Sequence, residues 1–374
     1  MDHAASAPLR PAAARAMADA WAQGGNPSSL HGSGRAARAL LEDARERLAA
    51  CVGAHPTEVV FTSGGTEADN IAVLGGASSA WASGQGRDVV VTTAVEHPAV
   101  AEAAASLGER ARIVGVDADG ALDREAWRAA LDGRAAVASA MWVNNETGVA
   151  WPVSELAEDA HVAGAWAASD GVQAFGHVPV NFAASGLDLL SLSAHKVGGP
   201  VGVGALIVRR GLEPGRVGFG GGQERRLRSG TVPVALAAGF AAAAEEAVRG
   251  LAREASGWAR LRERIVSAVA GIEGASVNPA GDAGSPAICN VSFAGARADD
   301  LLLLLDAAGI DCSTGSACTA GVHRPSEVLL AMGRSEAEAS ASLRFSLGWT
   351  STDADVDALL AALPDAVARA RAAF

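Results

Sequence analysis

Through the first two-thirds of this chain, short apolar runs of strand length alternate with amphipathic helical stretches. That alternation limits the fold more than any other feature. Val59–Ser63, Asp88–Thr93, Ala111–Val116, Ala135–Val143, Ala165–Ser169, Leu187–Ser193 and Gly204–Val208 read as strands. Between them lie runs such as Arg35–Ala50, with Leu40, Leu41, Ala44 and Leu48 on one helical face. The pattern predicts an α/β fold with a mostly parallel sheet covered by helices. A Gly- and Arg-rich loop, Gly211–Gly230, precedes a long helical stretch from about Val232 to Ala270. Shorter elements follow: strand Ile288–Phe293, helix Arg297–Ala308, strands Ile310–Cys312 and Leu343–Leu347, and a terminal helix. The expected division is a large domain over 13–250 and a smaller α+β domain built from 1–12 and 251–374.

Composition narrows the function. With 49% of its 374 residues hydrophobic, the chain has ample material for two cores. A formal net charge of −12 argues against a nucleic-acid surface, and the cluster Arg225, Arg226 and Arg228 is too short to reverse that. No apolar stretch approaches the roughly 20 residues of a membrane span, and the start, Met-Asp-His-Ala-Ala-Ser-Ala-Pro, has no basic flank or apolar signal core. The cysteines Cys51, Cys289, Cys312 and Cys318 show no C-x-x-C spacing, and the histidines form no H-E-x-x-H cluster. A cytoplasmic, metal-free enzyme is the expectation.

Lys196 is the only lysine in the sequence. Arginine replaces lysine readily on a surface, but not where a primary amine must lose its proton and form a Schiff base. Lys196 sits in Ser-Ala-His-Lys-Val-Gly-Gly-Pro directly after an apolar strand, where open α/β sheets place their ligands. Pyridoxal 5'-phosphate (PLP) is the cofactor this arrangement suggests. Ser63-Gly64-Gly65-Thr66-Glu67 follows a strand and opens a helix, so backbone N–H groups and the Thr66 hydroxyl can bind phosphate. Asp170, at a strand end, can keep a pyridine nitrogen protonated, and Gln173 can reach a phenolic oxygen. His97, before Pro98, can stack on the ring and act as acid or base. Ser193 and His195 flank the lysine as further phosphate contacts. The plainer roles for these residues are helix caps, turns and solvated side chains.

Cys318 lies among small residues in Cys312-Ser-Thr-Gly-Ser-Ala-Cys318-Thr-Ala-Gly, which reads as an exposed loop. Free cysteine is usually buried, so a loop cysteine suggests a presented nucleophile; Cys51, Cys289 and Cys312 read as core. Arg344 interrupts an apolar strand, and its fork suits an amino-acid carboxylate.

With these residues assembled, the chain resembles the cysteine desulfurases, PLP enzymes of the class V aminotransferase group, over nearly its whole length. The resemblance runs through Asp2-His-Ala-Ala near the start, Asn26-Pro-Ser-Ser, Phe61-Thr-Ser-Gly-Gly-Thr-Glu, Glu96-His97, Val143-Asn-Asn-Glu-Thr-Gly, Asp170-Gly-Val-Gln, Ser193-Ala-His-Lys, Arg228-Ser-Gly-Thr, Ser313-Thr-Gly-Ser-Ala-Cys and Arg344-Phe-Ser-Leu-Gly. The cysteine loop is similar to that of the branch serving iron–sulfur clusters and tRNA thiolation.

The resemblance implies the PLP-dependent transferase fold type I, with Lys196 holding PLP, Asp170 on the pyridine nitrogen, Gln173 on the phenolic oxygen and His97 stacked on the ring. Gly65, Thr66, Ser193 and His195 would bind the phosphate, joined by Thr231 from the other subunit of a homodimer. Asn145 and Arg344 would take the substrate carboxylate. Lys196, Cys318 and His97 would carry the reaction, in which L-cysteine gives L-alanine and a persulfide on Cys318. The sulfur would pass to an acceptor protein, an iron–sulfur scaffold or a tRNA thiolase. His3, Gly65, Ala168, Val201 and Gln223 depart from the commoner residues at their positions.

The alternatives are selenocysteine cleavage, another PLP reaction on the same fold such as transamination, a sulfur donor for DNA modification, or an idle sulfur carrier using Cys318 alone. A nucleotide-binding oxidoreductase has no support, since no G-x-G-x-x-G opens a helix.

Overall fold

A computed structural model describes residues 1–279, 281, 284–315 and 325–373. Among these residues, seven strands form the larger sheet: β1 (Val59–Thr62), β2 (Val89–Thr93), β3 (Ala111–Val114), β4 (Ala135–Ser139), β5 (Trp166–Asp170), β6 (Leu189–Ser193) and β7 (Gly204–Val208). Their order is β1-β7-β6-β5-β4-β2-β3. Strands β2 to β6 pair in parallel, whereas β7 runs antiparallel to both β6 and β1. Two reversals restore direction, so β1 points the same way as β6. The carboxyl ends of β1, β2, β5 and β6 therefore share one edge of the sheet. The expected α/β architecture is the one observed.

Gly204 lets this edge close up. It pairs with Thr62 on one side and with Ser193 on the other. A Cβ there would stand 2.5 Å from the Leu192 carbonyl oxygen and 2.6 Å from the Gly64 carbonyl carbon. Only glycine admits so close a backbone approach. The phosphate-loop candidate after β1 is thus drawn against the strand that delivers Lys196.

Helices cover both faces. Helix Gly32–Val52 buries Leu41, Ala44 and Leu48 against the sheet core, and His31 caps its start. The 36-residue helix Val234–Val269 begins beside Phe240 and Ala244 in that core and ends with Trp258, Leu261 and Ile265 in a second one. The second core is built on a three-stranded antiparallel sheet, β10-β9-β8, comprising β8 (Ala275–Asn278), β9 (Ile288–Phe293) and β10 (Ser342–Ser346). Helices Ala298–Ala307 and Asp353–Ala372 pack on it through Leu301, Leu305, Leu359 and Leu363. The amino-terminus joins it as well, through a bridge from Asp2 to Ser346.

Two expectations need correction, and one strand was not expected. The run Ala135–Val143 is a strand only to Ser139; beyond it the amides of Ala140 and Trp142 still bond the Ala168 and Asp170 carbonyls as the chain leaves the sheet. Ile310–Cys312 is not a strand. Its alternation of Ile310, Asp311 and Cys312 suits a strand, but pairing is reduced to one bridge between Ser313 and Arg344. Strand β8 has no counterpart in the sequence reading, because its half-exposed small residues carry little hydrophobic signal. The loop Gly211–Gly230 also contains a short turn, Glu224–Arg226, with all three residues at positive φ. There the buried Glu224 carboxylate takes both arms of the Arg45 guanidinium, at 2.7 and 2.8 Å, and the Phe61 amide.

Candidate active site

A cavity of about 390 Å³ opens at the shared carboxyl edge of the larger sheet. Gly65, Thr66, His97, Asn145, Asp170, Gln173, Ser193, His195, Lys196 and Arg344 all line it. These come from six separate stretches of sequence. Thr231 does not line it; its side chain is exposed. Cys318 lies outside the described residues.

Lys196 projects from a 3₁₀ turn, Ala194–Val197, that follows β6 immediately. The turn closes on Gly198, in the left-handed region at φ 81°, where a Cβ would strike the Arg10 side chain at 2.7 Å. The Lys196 amine donates to the Ala4 and Ala5 carbonyls at 2.7 and 2.9 Å. Burial, reinforced by the Arg344 charge, lowers its pKa to about 8. An amine with that pKa has a substantial neutral fraction near physiological pH.

His97 caps helix Pro98–Ala105, its Nδ1 accepting the Ala99 amide at 3.1 Å. That bond leaves the proton of a neutral ring on Nε2. Burial lowers the His97 pKa, so the ring is held neutral. Asp170 is buried at the end of β5, with Oδ1 accepting the Val172 amide at 2.8 Å. Burial raises its pKa, and the charge of a protonated His97 would oppose that rise. Gln173 donates from Nε2 to the Ala4 carbonyl at 2.9 Å. His195 contacts the Ser6 hydroxyl at 3.2 Å, and burial lowers its pKa to about 4.

Arg344 reaches the cavity from β10, on the other sheet. It gives Nη1 to the Asn145 carbonyl at 2.8 Å and Nη2 to Asp2 at 2.9 Å. Its Nε is buried with no hydrogen-bond partner among the described residues. A buried guanidinium N–H without an acceptor is costly, and an anionic group in the cavity would supply one. Asn145 is carried on a tight turn fixed by Asn144, whose Oδ1 accepts the Glu146 and Thr147 amides.

The sequence assigns no site role to several lining residues. Ala4 and Ala5 act through backbone carbonyls, which leave no trace in residue type. Asp69 and Val172 lie one helical turn and two residues from recognised positions. Asp69, His97 and Asp170 bring ligand atoms within 4.8 Å of one another. Glu146 is buried beside Gly315 and accepts the Ser326 hydroxyl. Cys289 is buried and Cys51 and Cys312 are half-buried; burial raises their pKa values to about 11, 11 and 12, so all three are thiols rather than thiolates at neutral pH.

The chain as a whole has counterparts among known proteins. Residues 1–359 match the family model for class V aminotransferases. The chain belongs to the class V aminotransferases. Within that family it is 48% identical to an IscS-like cysteine desulfurase of Mycobacterium tuberculosis, over 100% of this chain and 97% of that protein. It is 39% identical to the cysteine desulfurase NifS of Azotobacter vinelandii, over 93% and 87% of the two chains. Among solved structures, a NifS-like protein superposes with a TM-score of 0.90 at 32% identity, covering 98% of each chain. A protein named SspA, solved in complex with cysteine, superposes at 0.78 with 30% identity, covering 92% of this chain and 97% of that one.

The family is PLP-dependent, and the cavity fits that group. It offers one amine of lowered pKa, a buried carboxylate on the neighbouring strand, a neutral imidazole and a buried guanidinium N–H awaiting an acceptor.

Proposed function

We propose that this class V aminotransferase is a cysteine desulfurase that converts L-cysteine to L-alanine and captures the sulfur as a persulfide on Cys318. The observation that carries the reading is that Lys196 and Arg344, from two different sheets, face one cavity. An amine for a carbonyl cofactor and a fork for a carboxylate, held together, suit an α-amino acid substrate. The cysteine-bound structural relative supports the choice of amino acid.

Lys196 would hold PLP, Asp170 its ring nitrogen, Gln173 its phenolic oxygen, and Gly65, Thr66, Ser193 and His195 its phosphate. When bound, PLP supplies an electron sink for the substrate α-carbon. Lys196 Nζ takes the proton from that carbon, its lowered pKa suiting it to the task. Arg344 and the Asn145 amide orient the carboxylate, and the neutral His97 moves protons at the sulfur with Nε2. Cys318 is the nucleophile. The raised pKa values of the other three cysteines support this assignment, because the reactive form is the thiolate.

Residues 13–250 would bind the cofactor, while 1–12 and 251–374 carry the cysteine segment. The working unit would be a cytoplasmic homodimer in which Thr231 completes the partner's phosphate site, a role its exposure permits. The sulfur would go to an acceptor protein, an iron–sulfur scaffold or a tRNA thiolase.

The deciding experiment incubates PLP-loaded protein with L-cysteine and a reducing thiol, measuring alanine and sulfide together. Equal yields are expected, and their loss in Cys318→Ser. Bound PLP with neither product would overturn the reading. A monomer with full activity would overturn the shared phosphate site.

A further inference from the structure

Asp69 stands on helix Gly65–Asn70, three residues beyond Thr66, and is 2% exposed while lining the cavity wall. Its carboxylate, that of Asp170 and the His97 ring converge within 4.8 Å. Burial and the neighbouring Asp170 charge disfavour its ionisation, against one neutral donor, the Ser191 hydroxyl, that favours it; Glu96 is the other acid nearby. Two carboxylates this close, both nearly closed to solvent, disfavour each other's ionisation.

Asp170 has the better claim to the charge. It accepts the Val172 amide and faces the two groups that can be cationic, His97 and Lys196. Glu96 accepts from Thr93 and Met141 through Oε1 alone, and its Oε2 is buried without a partner among the described residues. Burial pushes the Glu96 carboxyl up to about 8, so it adds little negative charge at neutral pH. Glu102 is the remaining acid that acts on His97.

We propose that Asp69 is a positioning residue that keeps its proton and offers it to the Asp170 carboxylate, so that Asp170 alone presents negative charge to the cofactor ring. Its position on the helix that opens with Gly65 and Thr66 ties that polarity to the phosphate-binding end. The functional half of this proposal rests on the PLP reading; the protonation half does not.

The first test is an infrared difference spectrum between the wild-type apoprotein and Asp69→Asn at pH 7. Loss of a protonated-carboxyl C=O band is expected, and loss of carboxylate bands instead would overturn the proposal. The second titrates PLP into apoprotein, following visible absorbance and its pH midpoint. Asp69→Asn, a neutral donor of the same shape, should bind PLP within about twofold of wild type with an unmoved midpoint. Asp69→Leu, of similar size without a donor, should weaken binding about tenfold or shift the midpoint. Asp170→Asn should lose binding outright. If Asp69→Leu matches Asp69→Asn, the donor role is overturned; if Asp69→Asn matches Asp170→Asn, Asp69 is ionised. Should Asp69→Leu fail to fold, the comparison of the two asparagine variants still decides. A wild type that takes up no PLP would sink the cofactor reading, and the infrared result would stand separately.

Discussion

The Lys196 amine donates to the carbonyl of Ala4 at 2.7 Å, across 192 positions of sequence. The amino-terminal segment is therefore a wall of the active site, because Gln173 bonds the same carbonyl and Arg344 pairs with Asp2. Removing residues 2–5 should raise KM for L-cysteine and weaken PLP binding, by about tenfold each if one or two such hydrogen bonds are lost. Steady-state kinetics and a PLP titration check this.

Lys196→Arg keeps a cation but cannot form the imine. Desulfuration should fall by about three orders of magnitude or more. The visible absorbance of protein-bound imine should vanish, and alanine release provides the second readout.

The lowered Lys196 pKa has a defined sign. Between its folded value of about 8 and the ordinary lysine value, the unfolded chain binds more protons than the folded one. Burying the ammonium thus costs stability below that window, and the cost is relieved as pH rises through it. For capture of PLP by the apoprotein, the neutral amine fraction rises about tenfold from pH 7 to pH 9. The capture rate should follow it and level off above.

Arg344→Lys retains charge and loses the fork. KM should rise about ten- to a hundredfold, an effect of ~1.4–3 kcal/mol, while PLP affinity changes little. A kcat loss with unchanged KM would contradict a carboxylate-binding role.

Arg45→Ala should cost about 3–5 kcal/mol by leaving the Glu224 carboxylate buried and uncompensated. The double variant Arg45→Met, Glu224→Leu should recover much of that, as measured by denaturant unfolding.

Much of this molecule was legible in its residues, for reasons that can be named. The strands β1, β2, β6 and β7 each combine β-branched or leucine-rich runs with turn signals, so the alternation marked them within a residue or two. Where the signal was polar or small it failed: β8 went unseen, and Ile310–Cys312 lacked a continuous neighbour to pair with. Lys196, Asp170 and His97 were recognisable because each type has a specific chemistry at a strand end. Asp69 was not, since an acid inside a helical run usually faces water. Glu224 was hidden among arginines, its partner Arg45 lying 179 positions away.

The sequence by itself determined the elements, their alternation and the chemical types collected at the sheet edge, because those depend on periodicity and side-chain chemistry over a few residues. Only the tertiary structure decided that Arg344 of the smaller sheet meets Lys196 of the larger one, that Ala4 and Ala5 turn their carbonyls to the amine, and that Asp69 stands against Asp170. Such relationships come from the packing of segments far apart in the chain. Backbone carbonyls and buried like charges acquire meaning only when folding removes them from water.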